Sequence, residues 1–303
     1  MSNTTITWQS PSNIALIKYW GKHGNQLPNN ASLSLTLSQA TTTTSLSLKK
    51  KRKKSAIEID FTFEGEKNEK FAEKIITYLD GIKADFPFIT ENKLIINSEN
   101  SFPHSAGIAS SASSMSALAL CLLSQSIIAD KKEYKPEEFY QKASHYARIG
   151  SGSASRSVYP DFAVWGKSAH IKNANDKFAI QYPDKFNSDF NELQDSILIV
   201  NEKEKSVSSR AGHALMQNHP MATQRYKNAE ARMKSLLTAL TKGDWELFCN
   251  TVEIEALESL GDHYESSLSD SYRNKEGIYY TPNDIVNDLL SLKDKPIGSQ
   301  TFC

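Results

Sequence analysis

Leu33, Leu35 and Leu37 alternate with Ser34 and Thr36. That period of two predicts a half-buried strand over residues 32–38. Residues 45–48 continue the habit. Ile57, Ile59, Phe61 and Phe63 alternate with Glu58, Asp60 and Thr62, predicting another strand that closes on a Glu64-Gly65 turn. The period then changes. Phe71, Ile75, Tyr78 and Leu79 recur at helical spacing and predict a helix over residues 68–80. A short strand follows at 94–97. A long helix is predicted at 109–129, small residues first and larger apolar ones later, and a second at 136–147 with Pro136 in its first turn. Residues 158–165 and 196–200 read as strands. Beyond them the chain is mainly helical, at 228–240 and 244–260 with Lys242-Gly243 between. Thr281-Pro282-Asn283-Asp284 is a further helix start. There is no internal repeat. Polar stretches at 173–176 and 187–189 suggest a domain boundary within 170–195.

The 303 residues suffice for one large or two ordinary domains without disulfide staples. Lys and Arg total 35 and so do Asp and Glu, so the net charge is zero and bulk-charge binding of nucleic acid is not expected. The six basic residues at 49–54 read as a solvated hairpin loop; a polyanion patch is the alternative, without aromatic interleaving to support it. Cys121, Cys249 and Cys303 are far apart and form no CxxC pair, which points to a reducing, cytoplasmic setting. The polar first nine residues do not read as a secretory signal. The apolar stretch 115–129 is broken by Ser116, Ser124, Gln125 and Ser126, so no membrane span is expected.

Two phosphate-binding look-alikes fail. Gly166-Lys167-Ser168 resembles the end of a P-loop, but Asp161 stands where that motif requires Gly. Residues 150–155 begin like a dinucleotide fingerprint, yet lack the third Gly and follow a helix. The seven histidines are scattered and there is no HExxH, arguing against a metal held by side chains alone.

Three donor-rich loops remain. Residues 102–112, FPHSAGIASSA, run into the long helix. Gly107 permits close backbone approach, and the N–H groups at such a helix start suit phosphate. A Ser-rich N-cap with tight helix packing is the plainer alternative. Residues 11–22, PSNIALIKYWGK, end an apolar run in Lys18 and Lys22, either cations for phosphoryl transfer or an edge strand with a basic loop. Residues 148–157, RIGSGSASRS, offer hydroxyls, backbone and an Arg156 fork for an oxyanion, or a plain helix-to-strand turn. Together they gather Lys18, Lys22, Arg148 and Arg156, which suggests a site for a small, highly anionic ligand.

These three segments, in this order and spacing, closely resemble the signature regions of diphosphomevalonate decarboxylases, of the GHMP kinase superfamily. The following SVSSRAGH at 206–213 agrees. The resemblance runs from about residue 8 to 257. It implies an α+β, two-domain GHMP kinase-like fold. Residues 1–185 would form the ATP and substrate domain, with a left-handed βαβ unit. Residues 186–303 would form a ferredoxin-like domain, incomplete at its end. It further implies a cytoplasmic homodimer using ATP and Mg2+, a carboxy-lyase of the mevalonate pathway. Such an enzyme phosphorylates the 3-hydroxyl of (R)-5-diphosphomevalonate and releases phosphate and CO2 to give isopentenyl diphosphate.

The implied ATP-phosphate loop comprises Pro103, Ser105, Ala106, Gly107, Ala109, Ser110 and Ser111, with Ser111 also at the metal. Lys18, Ser111 and Arg156 are the implied catalytic groups. Asn13, Tyr19, Trp20, Gly21, Lys22, Lys70, Ser151, Gly152, Ser153, Ala154, Ser155, Arg156 and Arg210 are the implied substrate contacts. One departure stands out. The family's late Asp-Ala-Gly-x-Asn segment, which carries a catalytic Asp and usually follows a Thr-Phe or Thr-Leu pair, is not present in a sequence that ends at Thr301-Phe302-Cys303. The expectation is a truncated, frameshifted or decayed copy that binds ligands and turns over slowly or not at all. A related kinase without decarboxylation, and a non-catalytic remnant, are the alternatives.

Overall fold

The computed structural model describes residues 4–51, 56–103, 110–196, 216 and 219–260. The predicted strand at 196–200 and the helix start at 281 lie outside them, except for residue 196.

The architecture is mixed α+β around one strand. β4, Ser32–Lys50, is 19 residues long and joins the two segments read separately from the sequence. The predicted basic hairpin therefore starts later, because Lys49 and Lys50 still pair with Lys93 and Asn92. One edge of β4 is covered antiparallel by β1, Ile6–Ile17. Alternation does not announce β1, because its buried positions include Ser10, Ser12 and Asn13. The other edge of β4 is shared. Residues 32–35 pair with β8, Phe162–Trp165, and residues 42–50 with β7, Asn92–Asn100. Between Pro11/Thr41 and Ser12/Leu37 the register jumps, so β4 bulges at 38–40. Pro11, which has no N–H for the ladder, sits at that irregularity.

Beyond β7 lie β5, Glu58–Phe63, and β6, Glu66–Lys67. β5 runs parallel to β7, and helix α1, Glu69–Ile82, forms most of the crossover. The Asn68 side chain caps α1 by accepting the Phe71 N–H at 3.1 Å. A single turn, α2 (Phe88–Glu91), precedes β7. A separate hairpin of β2, Lys22–His23, and β3, Leu27–Pro28, links β1 to β4, while β9, Ile180–Gln181, pairs with β8.

Helix α3, Ser110–Ala129, packs on the sheet with α4, Pro136–Gly150. By length and composition α3 resembles a membrane span, but most of it is buried in the protein core. Its contact with the sheet is partly hydroxylic. Ser116 accepts from Ser10 at 2.6 Å, and Ser113 pairs with Thr42 at 2.6 Å. Residues 158–165 are not one strand. A 3-10 helix, Gly152–Val158, follows α4, and the chain turns at Asp161 with φ 55° before β8 begins. On the part of the sheet around Leu16, Ile17, Leu33, Phe162 and Val164, a second apolar cluster receives α5, Ala222–Lys242, and α6, Trp245–Leu260. Gly243, φ 73°, closes α5 in the left-handed region.

Candidate active site

The end of β1, the 3-10 helix and the start of α3 converge. Arg156 is 2% exposed and lies beneath the loop that leaves β1. Its Nε donates to Ser34 Oγ at 3.0 Å and one terminal nitrogen donates to Asn13 Oδ1 at 3.2 Å. The other donates to Ser32 Oγ. All three acceptors are neutral. Burial pulls the guanidinium's pKa down to about 10, and among the described residues Tyr19 opposes the shift. At neutral pH it stays charged. A buried cation with neutral partners is costly for the fold and ready for an anion.

Asn13 fixes the neighbouring 3-10 helix, donating to Ser153 O at 3.1 Å and Ser157 Oγ at 2.7 Å. Tyr19 packs edge-on against Trp165, with centroids 4.8 Å apart, and carries Arg156 and Lys22 each 5.4 Å from its ring centre. Its hydroxyl shares hydrogen bonds with Ser153, while burial raises its pKa. Gly152 is needed for closeness. A Cβ there would lie 2.8 Å from Trp165 Cη2 and 3.2 Å from Lys22 Cε. Gly21, φ +66°, makes the turn into β2, where a Cβ would meet Asn29 Nδ2 at 2.7 Å.

Lys18 follows β1 directly. Its ammonium donates to Ala15 O at 3.2 Å. Burial lowers its pKa; Glu255 opposes that and Arg156 reinforces it. Trp20 has Arg225 4.3 Å from its ring centre, and its buried Nε1 has no partner among the described residues. Ser111, exposed in the first turn of α3, lies 3.4 Å from Ser151 Oγ, itself 3.4 Å from Ser153 Oγ. This line of hydroxyls joins the start of α3 to the 3-10 helix.

Of the predicted residues, Asn13, Lys18, Tyr19, Trp20, Gly21, Lys22, Ser111, Ser151, Gly152, Ser153 and Arg156 fall on these three converging segments. Ser110 opens α3 beside them. Ala154 and Ser155 are fully buried, Ala154 in the core and Ser155 bonded to Gly152 O at 2.8 Å. They are scaffold. Lys70 is exposed on α1, away from these segments in the chain, and Pro103 is exposed ahead of α3. Ser105, Ala106, Gly107, Ala109 and Arg210 lie outside the described residues. Arg148 is a correction to the cation cluster. Its fork grips the carbonyls of Lys177, at 2.7 Å, and Asn25, so it braces loops.

Four side chains were missed. Ser32 and Ser34 face Arg156 from the strand positions that alternate with Ala31, Leu33 and Leu35, where a small polar residue looks merely solvent-facing. Asn30 accepts the Trp20 N–H at 2.7 Å. Glu255 accepts the Lys18 N–H at 3.0 Å and is fully buried. Its position on the apolar stripe of α6, seven residues after Phe248, is the signal that could have found it.

Among the described residues no group of three His, Cys, Asp or Glu could hold a metal. A Ser hydroxyl with phosphate oxygens and water is, however, a donor set suited to Mg2+.

A family profile described as the diphosphomevalonate decarboxylase-like N-terminal domain matches residues 10–179. A diphosphomevalonate decarboxylase of Ganoderma lucidum is 31% identical over 82% of this chain and 62% of its own. That of Saccharomyces cerevisiae is 32% identical over 71% of this chain and 54% of its own. The chain therefore spans between half and two thirds of these relatives' lengths. It spans 75% of the Schizosaccharomyces pombe relative, at 30% identity over 98% of this chain. The fold also matches the crystal structure of mevalonate diphosphate decarboxylase from Staphylococcus aureus. There the TM-score is 0.65 at 28% identity, covering 84% of this chain and 72% of that one. A structure of MDDEF in complex with MVAPP, AMPPCP and magnesium matches with a TM-score of 0.66 at 27% identity, covering 85% and 75%. By motif order, profile and fold, this chain belongs to the diphosphomevalonate decarboxylase family.

Proposed function

We propose that the chain catalyses ATP-dependent decarboxylation of (R)-5-diphosphomevalonate, giving isopentenyl diphosphate, ADP, phosphate and CO2. The observation that carries this is Arg156: a buried guanidinium whose partners among the described residues are all neutral, at the meeting of three donor-rich segments. A substrate bearing a diphosphate and a carboxylate supplies the missing counter-charge. Relatives solved with MVAPP, AMPPCP and magnesium support the ligand class.

In this reading Arg156, Ser153, Ser151 and Lys22 anchor the substrate's anionic groups, and Tyr19 and Trp20 wall the site. The first turn of α3 receives the ATP phosphates. Ser111 would hold Mg2+ together with phosphate oxygens, and the ion would neutralise phosphate charge during transfer. Lys18 places a cation where charge builds between the 3-hydroxyl and the phosphoryl group. Positioning and charge are the contributions expected of a phosphoryl-transfer site.

The division into an ATP/substrate part and a ferredoxin-like part belongs to the same proposal, as does a homodimer, which light scattering at defined concentration tests. A cytoplasmic setting is supported by the free thiols of Cys121 and Cys249.

The test is ADP release coupled to NADH oxidation, with products identified by mass spectrometry. Isopentenyl diphosphate in step with ADP is expected, with Lys18→Met reducing turnover at least about a hundredfold. A stable 3-phosphorylated product without isopentenyl diphosphate overturns decarboxylation and makes the chain a kinase. Calorimetry showing neither nucleotide nor substrate binding overturns the reading altogether.

A further inference from the structure

Lys18 stands one residue beyond the last pair of the β1–β4 ladder, Ile17 with Leu33. Its peptide groups are held by side chains instead. The N–H donates to Glu255 Oε1 at 3.0 Å, and the carbonyl accepts from Asn30 Nδ2 at 2.9 Å. Glu255 arrives from α6, 237 residues later in the chain. It is fully buried, and its second oxygen accepts from Arg232 of α5 at 2.7 Å. Arg232 also pairs with Glu258, which accepts from Asn228 at 2.8 Å.

A carboxylate on the apolar face of a helix is an expensive way to dock that helix; a well-packed aliphatic side chain would do as well or better. The carboxylate supplies two things that an aliphatic group cannot. It gives the Lys18 N–H an acceptor, and it sets a negative charge beside a cluster that is otherwise cationic. We propose that Glu255, held by Arg232, is a positioning residue for Lys18: it fixes the Lys18 peptide and offsets the positive charge around the Lys18 ammonium. The proposal rests on Lys18 being a working cation of the site.

The groups facing Lys18 divide by sign. Arg156 disfavours its charged form, as burial does, and Glu255 favours it. Lys22 and Arg225 lie nearby, over the rings of Tyr19 and Trp20. Arg232 pairs with Glu255 and also with Glu258. Removing the charge of Glu255 therefore makes Lys18 lose its proton at lower pH.

Glu255→Gln keeps the shape and an acceptor oxygen but removes the charge. It is expected to lower kcat about tenfold or more while KM for ATP and substrate changes less than about threefold. The alkaline limb of kcat should move down by about half to one pH unit. Glu255→Asp keeps the charge, so its limb stays near that of the parent while the shorter reach lowers kcat. Unchanged kcat and limb in Glu255→Gln overturns the proposal, as does an equal limb shift in both variants. Should the variants not fold, amide hydrogen exchange on the unaltered protein decides. A Lys18 amide protected like that of Ile17 supports the proposal; exchange at the rate of an open loop overturns it. A Lys18→Met variant with full turnover withdraws the underlying reading, and this inference with it, which separates the two failures.

Discussion

Arg156→Met separates a binding role from a structural one. In the native chain the guanidinium is buried, and burial depresses its pKa from the ordinary arginine range to about 10. At about 1.4 kcal/mol per unit, that depression represents about 3 kcal/mol spent on keeping the charge in the fold. The folded state binds this proton less tightly than the unfolded chain, so the cost is fully present below about pH 10 and fades as pH rises toward the ordinary arginine range. Methionine removes the cost. It also removes three hydrogen bonds to neutral acceptors, on Ser32, Ser34 and Asn13, each contributing about 1 kcal/mol. The two effects nearly cancel, so the ligand-free stability at pH 7 should change by less than about 2 kcal/mol. Ligand binding has no such compensation. Losing a charge-assisted contact to diphosphate or carboxylate costs about 1.5–3 kcal/mol, a tenfold to hundredfold loss of affinity. Denaturant unfolding gives the first quantity and titration calorimetry with 5-diphosphomevalonate the second. A variant that loses 4 kcal/mol or more while binding substrate normally would refute the reasoning and make Arg156 a strut.

Gly152→Ala drives a methyl to within 2.8 Å of Trp165, which is fully buried and pinned by its Nε1 bond to Asp176 O at 2.8 Å. A loss of about 1–3 kcal/mol in urea unfolding is expected, with a raised KM for substrate because Lys22 must shift. Ser111→Ala should leave stability within about 0.5 kcal/mol, since Ser111 is exposed, yet lower kcat and raise the Mg2+ concentration needed for half-maximal rate. Cys121 is fully buried with its thiol pushed up to about 12. At pH 8 a thiol reagent with peptide mapping should modify the partly exposed Cys249 well before Cys121.

Much of the candidate site was legible because its chemistry is local: Lys18 to Lys22 and Ser151 to Arg156 are short runs whose residue types suggest their use. What escaped was long-range. Glu255 reads as one more acid on a helix until Lys18 and Arg232 close around it. Arg148 and Arg156 look equivalent in sequence, and only the fold shows one bracing loop carbonyls with Asp176 offsetting its charge and the other held by the Ser32, Ser34 and Asn13 side chains with no carboxylate partner among the described residues. The same limit affects the strands. Alternation fails in the middle of β4 and along β1 because Thr42, Thr44 and Ser10 are buried as hydroxyl contacts, Thr44 with Ser98 at 3.0 Å for example. A polar residue satisfied by a partner a hundred positions away carries the signature of a surface residue. Val158 misled in the opposite sense: it is apolar and buried, but the backbone around it is a 3-10 helix that aims Arg156 at Ser32 and Ser34.

The most direct test follows substrate labelled in its carboxylate through one turnover with MgATP, counting labelled CO2 against ADP. One CO2 for each ADP, lost together when Lys18 is replaced by Met, is the predicted result. ADP formed while the label stays in a phosphorylated product would contradict the account.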